Sequence, residues 1–140
     1  MENENERLCT PRLIKTYLEK ITGPKFEELG ITPSSAPFLG EIAYNEGISL
    51  KGLTEILMVD KAHTTRMVSK LIESGLVYDK AEGREYSLYL TEEGKVVAAK
   101  IKAIMDYAWK ELLKDLTPEE MDTLMVILGK ISNTVKEESD

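Results

Sequence analysis

A single cysteine and a single histidine among 140 residues leave little material for chemistry built on thiols or imidazoles. Cys9 alone cannot build a disulfide framework, and His63 has neither a cysteine nor a second imidazole beside it to complete a metal site. No apolar run approaches the roughly 18 residues of a membrane span. The opening Met1-Glu2-Asn3-Glu4-Asn5-Glu6 is acidic where a secretory signal would be basic. A cytoplasmic protein without membrane attachment is expected. Nucleophile elbows, phosphate-cradling glycine loops and metal clusters are also missing, and the many acids are spaced as on solvated helix faces. The sequence therefore predicts no enzyme, no catalytic residue, no metal and no cofactor. Linker-like Pro/Gly/Ser tracts and internal repeats are absent too, which leaves one domain over residues 1–140.

What is present is a change of hydrophobic period along residues 49–94. Ser49 offers a capping hydroxyl to a helix with Leu53, Ile56 and Leu57 on one face, and Met58-Val59-Asp60 interrupts that period. Asp60 caps the next helix, whose Thr64, Met67, Val68, Leu71 and Ile72 share one side while Ala62, Thr65, Arg66, Ser69 and Lys70 share the other. The outer side suits a major groove. Ala62 and Ser69 permit close approach, Thr65 and Ser69 can bond base edges or phosphates, and Arg66 carries the fork that fits guanine. Gly75 ends the helix, and Leu76-Val77-Tyr78 and Tyr86-Ser87-Leu88-Tyr89-Leu90 read as strands around the polar tip Lys80-Ala81-Glu82-Gly83-Arg84. Helix, turn, helix, hairpin and long helix in that order make a winged helix-turn-helix.

At these residues the chain resembles the MarR family of winged-helix transcriptional regulators. Asp60-Lys61-Ala62-His63-Thr64-Thr65-Arg66-Met67-Val68, followed by Lys70 to Val77, is similar to the family's recognition helix and its exit. Asp79 with Arg84, then Leu90-Thr91-Glu92-Glu93-Gly94, look like its wing, and Leu29-Gly30-Ile31-Thr32-Pro33 with Phe38-Leu39 resemble its first interhelical loop and second helix. Two positions depart from the pattern: Glu82-Gly83 stands where an acid plus arginine is usual, and His63 where a small hydroxyl is usual. The resemblance implies a mainly α fold with a small β-hairpin, a winged lobe at about 33–91, and dimerisation helices at about 7–31 and 92–136. It implies a homodimeric, ligand- or stress-responsive repressor on a pseudo-palindromic operator in double-stranded DNA. Ser49, Lys61, His63, Thr65, Arg66, Ser69, Lys70, Lys80 and Arg84 are the residues expected to meet that DNA. In this family a small aromatic or anionic effector commonly binds between the winged lobe and the dimer helices. Phe38, Tyr44, Met105, Tyr107 and Trp109 are candidates to line such a cavity, core packing being the alternative for each.

The net charge of −7 argues against nucleic acid until it is divided along the chain. Residues 1–6 carry three acids, and residues 115–140 carry seven against Lys130 and Lys136, so these ends hold −8 and residues 7–114 sum to +1. Lys61, Arg66, Lys70, Lys80 and Arg84 can then present a local positive field. The ends read as helices. Leu8, Leu13, Ile14, Tyr17, Leu18 and Ile21 form an apolar stripe before a kink or break at Gly23-Pro24. Val97, Ile101, Ile104, Met105, Ala108, Trp109, Leu112 and Leu116 recur along a long helix opened by Thr91. Thr117-Pro118-Glu119-Glu120 starts a last helix with Met121, Leu124, Ile127, Leu128, Ile131 and Val135. Such faces need a partner, either a second copy or an intramolecular bundle. Cys9 sits where one branch of the family senses hydroperoxides, but it lacks that branch's aromatic neighbours, and an incidental thiol is the preferred reading. The rival function is a winged helix used as a protein-interaction module without sequence-specific DNA binding.

Overall fold

The computed structural model describes residues 11–81 and 83–139. Cys9, Glu82 and the expected helix start near residue 7 lie outside the described residues. Among the described residues the order is α1 (Pro11–Glu28), α2 (Ala36–Tyr44), α3 (Leu50–Leu57), α4 (Lys61–Glu73), β1 (Val77–Asp79), β2 (Leu88–Leu90), α5 (Glu92–Leu112) and α6 (Pro118–Ser139). The fold is mainly helical with a two-stranded antiparallel wing, as the sequence predicts. Two compact units are distinguishable, Met1–Ala108 and Trp109–Asp140.

The first unit folds around one apolar core. Leu39 and Ile42 of α2, Leu53 of α3, Val68 and Leu71 of α4, and Val77 and Leu88 of the wing are fully buried or nearly so. Each stabilises the fold by about 1.5 to 3 kcal/mol relative to an exposed position. Phe26, Val97 and Ile101 bring α1 and the first half of α5 into the same cluster. Two residues assigned to apolar faces by periodicity stay largely outside it. Ile56 is 49% exposed and Ile72 36%, because α3 and α4 each turn only a narrow stripe, centred on Leu53 and on Thr64, Val68 and Leu71, toward the core.

Helix α1 does not break at Gly23-Pro24 but runs through Pro24 to Glu28. Proline removes one backbone donor there, while buried Thr22 donates its Oγ1 to the Leu18 carbonyl and buried Phe26 anchors the last turn. Beyond the helix, the Phe26 carbonyl accepts from both Leu29 and Ile31. The ammonium of Lys25 lies 4.5 Å from the centre of the Tyr107 ring, which ties α1 to α5.

The exit from α4 is a Schellman turn. Gly75 takes φ +76, its N–H bonds the Ile72 carbonyl, and Leu76 N bonds Leu71 O. Leu76 therefore belongs to this turn and β1 begins one residue later. Val77 pairs with Leu90, Tyr78 with Tyr89 and Asp79 with Leu88. The second strand is shorter than the alternation predicts, because Ser87 N bonds the Asp79 carboxylate in place of a backbone carbonyl. Ile48 adds an antiparallel bridge to Leu88, a contact without local sequence signature.

Helix α5 is docked by a compact junction. Thr91 Oγ1 donates to the Gly75 carbonyl (2.6 Å) and accepts from Gly94 N (3.0 Å), while Thr91 N donates to the Leu76 carbonyl. A Cβ on Gly94 would overlap that same Leu76 carbonyl oxygen, so only glycine lets the first turn of α5 lie against the chain leaving α4.

In the second unit, Thr117 and Glu120 form a reciprocal capping box, Thr117 N to Glu120 Oε1 at 2.9 Å and Glu120 N to Thr117 Oγ1 at 3.2 Å. Helix α6 leaves Met125, Val126, Ile127, Leu128, Ile131 and Val135 between 40% and 60% exposed.

Gly94→Ala should lower stability by about 1 to 3 kcal/mol or more, since the obstructing atom is backbone and cannot swing away. The effect is read as a lower denaturant midpoint at unchanged slope. A Gly94→Ala protein as stable as the parent would mean that α5 does not rest on Leu76.

Candidate nucleic-acid interface

The two helices at the centre of the first unit are held at both ends and in the middle. Ser49 Oγ accepts from Gly52 N at 3.0 Å to start α3, and Asp60 Oδ1 accepts from His63 N at 2.6 Å to start α4. Between them Met58 takes the left-handed conformation, φ 54 and ψ 45, which costs a residue with a Cβ about 1 to 2 kcal/mol and turns the chain sharply. Fully buried Thr64 accepts from Thr54 Oγ1 at 2.8 Å and donates to the Asp60 carbonyl. That hydroxyl pair bonds α3 directly to α4.

The opposite face of α4 is open. Lys61, Ala62, Thr65, Arg66, Ser69 and Lys70 are all exposed, and no ion pair joins any of the three cations to a described residue. Thr65 donates its hydroxyl hydrogen to the Lys61 carbonyl at 2.9 Å, which leaves the oxygen as an acceptor toward solvent. Two of the expected contact residues are less available. The Ser49 hydroxyl is engaged in its cap, and His63 is half-buried with its ring edge-on to buried Phe38, centroids 5.6 Å apart. Phe38 as a support for His63 was not legible, since helical spacing relates no residue of α2 to one of α4.

The wing is organised by Asp79. Its Oδ1 accepts from Ala81 N and from Ser87 N, both at 2.9 Å, and Lys80 N donates to the Ser87 carbonyl at 2.8 Å. Among the described residues no ion pair joins Asp79 to Arg84. The aspartate thus shapes the turn through backbone amides and leaves the Arg84 guanidinium exposed beside Gly83. An aspartate followed two residues later by a free amide is a recognisable turn signal, but the second amide comes from across the hairpin.

A cleft of about 940 Å³ lies between α1, α2 and α5 within the first unit. Ile14, Leu18, Phe26, Tyr44, Ala98 and Met105 line it, with Lys15, Lys95 and Lys102 against Glu19, Glu41 and Glu46 around them. Of the aromatic and methionine residues considered for a cavity, Tyr44 and Met105 reach it, Phe38 lies in the core, and Tyr107 sits under Lys25. Trp109 belongs to the second unit. A hydrogen bond and the charge of Glu92 hold the Lys95 ammonium above the ordinary lysine range. Among the described residues no three His, Cys, Asp or Glu side chains group as metal ligands would, and no helix is long and apolar enough to cross a membrane.

A sequence model of the MarR family matches residues 29–84, the span from the α1–α2 loop to the wing. Transcriptional regulator HosA of Escherichia coli O127:H6 is 33% identical over 96 residues, covering 66% of this chain and 71% of HosA. Two solved structures share the fold. A MarR family regulator from Listeria monocytogenes, complexed with a 26-mer DNA, superposes with a TM-score of 0.85 at 24% identity over 99% of this chain and 93% of its own. A MarR family protein of Mycobacterium tuberculosis in complex with salicylic acid gives 0.69 at 22% identity over 86% and 91%. With the winged reading head in place and these relatives beside it, the chain belongs to the MarR family of winged helix-turn-helix, DNA-binding transcriptional regulators, which are not enzymes.

Proposed function

We propose that this protein is a cytoplasmic homodimeric repressor that reads a pseudo-palindromic operator in double-stranded DNA and releases it when a small aromatic or anionic effector binds. The observation that carries the reading is the outer face of α4, where Lys61, Arg66 and Lys70 flank the small residues Ala62, Thr65 and Ser69 with no ion-paired partner among the described residues. In a major groove Arg66 offers two parallel donors to guanine, and Thr65 accepts from an exocyclic amine. Ser69 makes either kind of bond, and Lys61 and Lys70 meet phosphates. Ser49 and His63 act at the margin, the first through the helix start it caps and the second by its exposed edge. Lys80 and Arg84 extend from the wing toward the flanking backbone and minor groove.

Support for a symmetric dimer comes from the exposed apolar residues of α6 and from Leu13 and Tyr17 of α1, 54% and 38% exposed. A second copy that covers them places two reading heads on successive major grooves, about 10 base pairs apart. The dimerisation helices in this reading are those at about 7–31 and 92–136. The cleft between α1, α2 and α5 supports an effector, since its wall is largely apolar and Lys102 lies at its edge; the salicylic acid complex of the mycobacterial relative supports the chemical class. Such a ligand regulates only by binding one helix arrangement better, and a differential of about 1 to 3 kcal/mol suffices.

Selection of binding sites from random duplex DNA tests the reading. A two-fold motif with half-sites about one turn apart is expected; binding without sequence preference would instead fit a protein-interaction module. Sedimentation at micromolar concentration should give a dimer, and a compact monomer rejects the symmetric arrangement.

Arg66→Ala should lose about 1 to 3 kcal/mol on the selected site and flatten preference at one position of each half-site. An unchanged motif would place Arg66 on phosphate or in solvent.

Arg84→Ala should weaken binding by about tenfold and reduce the salt slope by about one unit per half-site, with the major-groove preference intact. Asp79 supplies the control. Asp79→Ala should also lose affinity, because two amides of the wing lose their acceptor, whereas Asp79→Asn keeps the oxygen and should retain it. Tighter binding by Asp79→Ala would show that charge alone governs the wing.

A further inference from the structure

The outer face of the wing carries an arrangement that the DNA-reading residues do not account for. Strand alternation turns Val77, Leu88 and Leu90 into the core and Tyr78 and Tyr89 to the other side, where the two rings are cross-strand partners. They stack with centroids 5.8 Å apart and planes 25° from parallel, an offset geometry that favours mutual attraction. Tyr89 is the more enclosed of the two. Its hydroxyl lies against Gly47, where a Cβ would stand 3.2 Å away, and Gly47 itself is tied to the wing by its N–H to the Leu88 carbonyl at 2.7 Å. The Tyr89 ring is thus wedged between Tyr78 and the turn before α3. The ammonium of Lys80 lies over the Tyr89 ring, 5.3 Å from its centre.

We propose that Tyr89 is a positioning residue for DNA binding, its ring holding the Lys80 ammonium at the outer face of the wing as a phosphate clamp. The choice of an aromatic partner matters. A carboxylate beside Lys80 would fix the side chain but neutralise it, leaving nothing for a phosphate to bind. A ring face attracts the cation through its quadrupole and leaves the full positive charge outward. A free lysine loses most of its rotamer freedom on meeting a phosphate; one already confined above a wedged ring has less to lose. The backbone of Lys80 is also fixed, through its N–H to Ser87, so the ring restrains the only mobile part that remains. This inference rests on the reading of the chain as an operator-binding regulator.

The test uses the full-length protein and the duplex obtained by site selection. Lys80→Met should weaken binding about three- to tenfold and lower the salt slope by about one unit per wing. At position 89, Tyr89→Phe serves as the reference for phenylalanines carrying one, two, three and five ring fluorines. Fluorination drains the ring quadrupole with little change of shape, so wing packing is preserved. Affinity should fall stepwise with fluorine number, to about threefold below the Tyr89→Phe reference, and the same series in the Lys80→Met background should be flat. A fluorine series without effect in the lysine protein overturns the proposal, as does an equal decline in both backgrounds, which would mark Tyr89 as structural only. If Lys80→Met binds like the parent, Lys80 is no clamp and the proposal also fails. Should the unaltered protein bind DNA without sequence preference, the reading as an operator-binding regulator falls first.

Discussion

The carbonyl of Leu76 is the fixed point on which the reading head and the long helix both depend. It accepts from Thr91 N and forbids any side chain at position 94, while the neighbouring Gly75 carbonyl takes the Thr91 hydroxyl. Helix α4, wing and α5 therefore converge on two consecutive peptide units. Each has its own local signals, since α4 has its own caps, the hairpin its own turn and α5 its own acidic first turn. What the junction adds is mutual orientation. In a winged-helix DNA-binding protein, that orientation decides how helix and wing are presented together.

Electrostatics is arranged on the same local scale. The chain is acidic overall, yet its ion pairs among the described residues, Lys15 with Glu19 and Lys95 with Glu92, lie outside α4 and the wing. Exposed charges are screened over about 8 Å at physiological salt, so a phosphate beside α4 responds to Lys61, Arg66 and Lys70 before it responds to the total. Two acids of the winged region serve as hydrogen-bond acceptors. Asp60 caps α4 and Asp79 holds the wing turn, each spending its carboxylate on backbone amides.

The parts legible in the sequence are those governed by local rules. The caps at Ser49, Asp60, Thr91 and Thr117, the helix stop at Gly75, the exposed face of α4 and the two-stranded wing all stand where residue type and period place them. Periodicity overestimates burial at Ile56 and Ile72 because it cannot tell the width of a buried stripe. It also misjudges Pro24, where the packing of Phe26 carries the helix past a residue that would end an isolated one. What remained hidden needs partners distant in the chain: the bridge of Ile48 to Leu88, the reach of Asp79 to Ser87, and the edge contact of Phe38 with His63. Of the candidate site, the exposure of the outer face of α4 was readable from spacing, but the support behind it was not.

The contact between Gly94 and Leu76 fixes one end of α5. From Gly94 to Ala108 the helix rises about 1.5 Å per residue, roughly 21 Å in all, so a tilt of about 10° about the junction carries the far end some 4 Å. The cleft beside Ala98, Ile101 and Met105 lies along that stretch of α5, and the chain leaving α4 meets the helix at the junction. A glycine required for want of space thus also sets the point from which any difference in the tilt of α5 grows along its length.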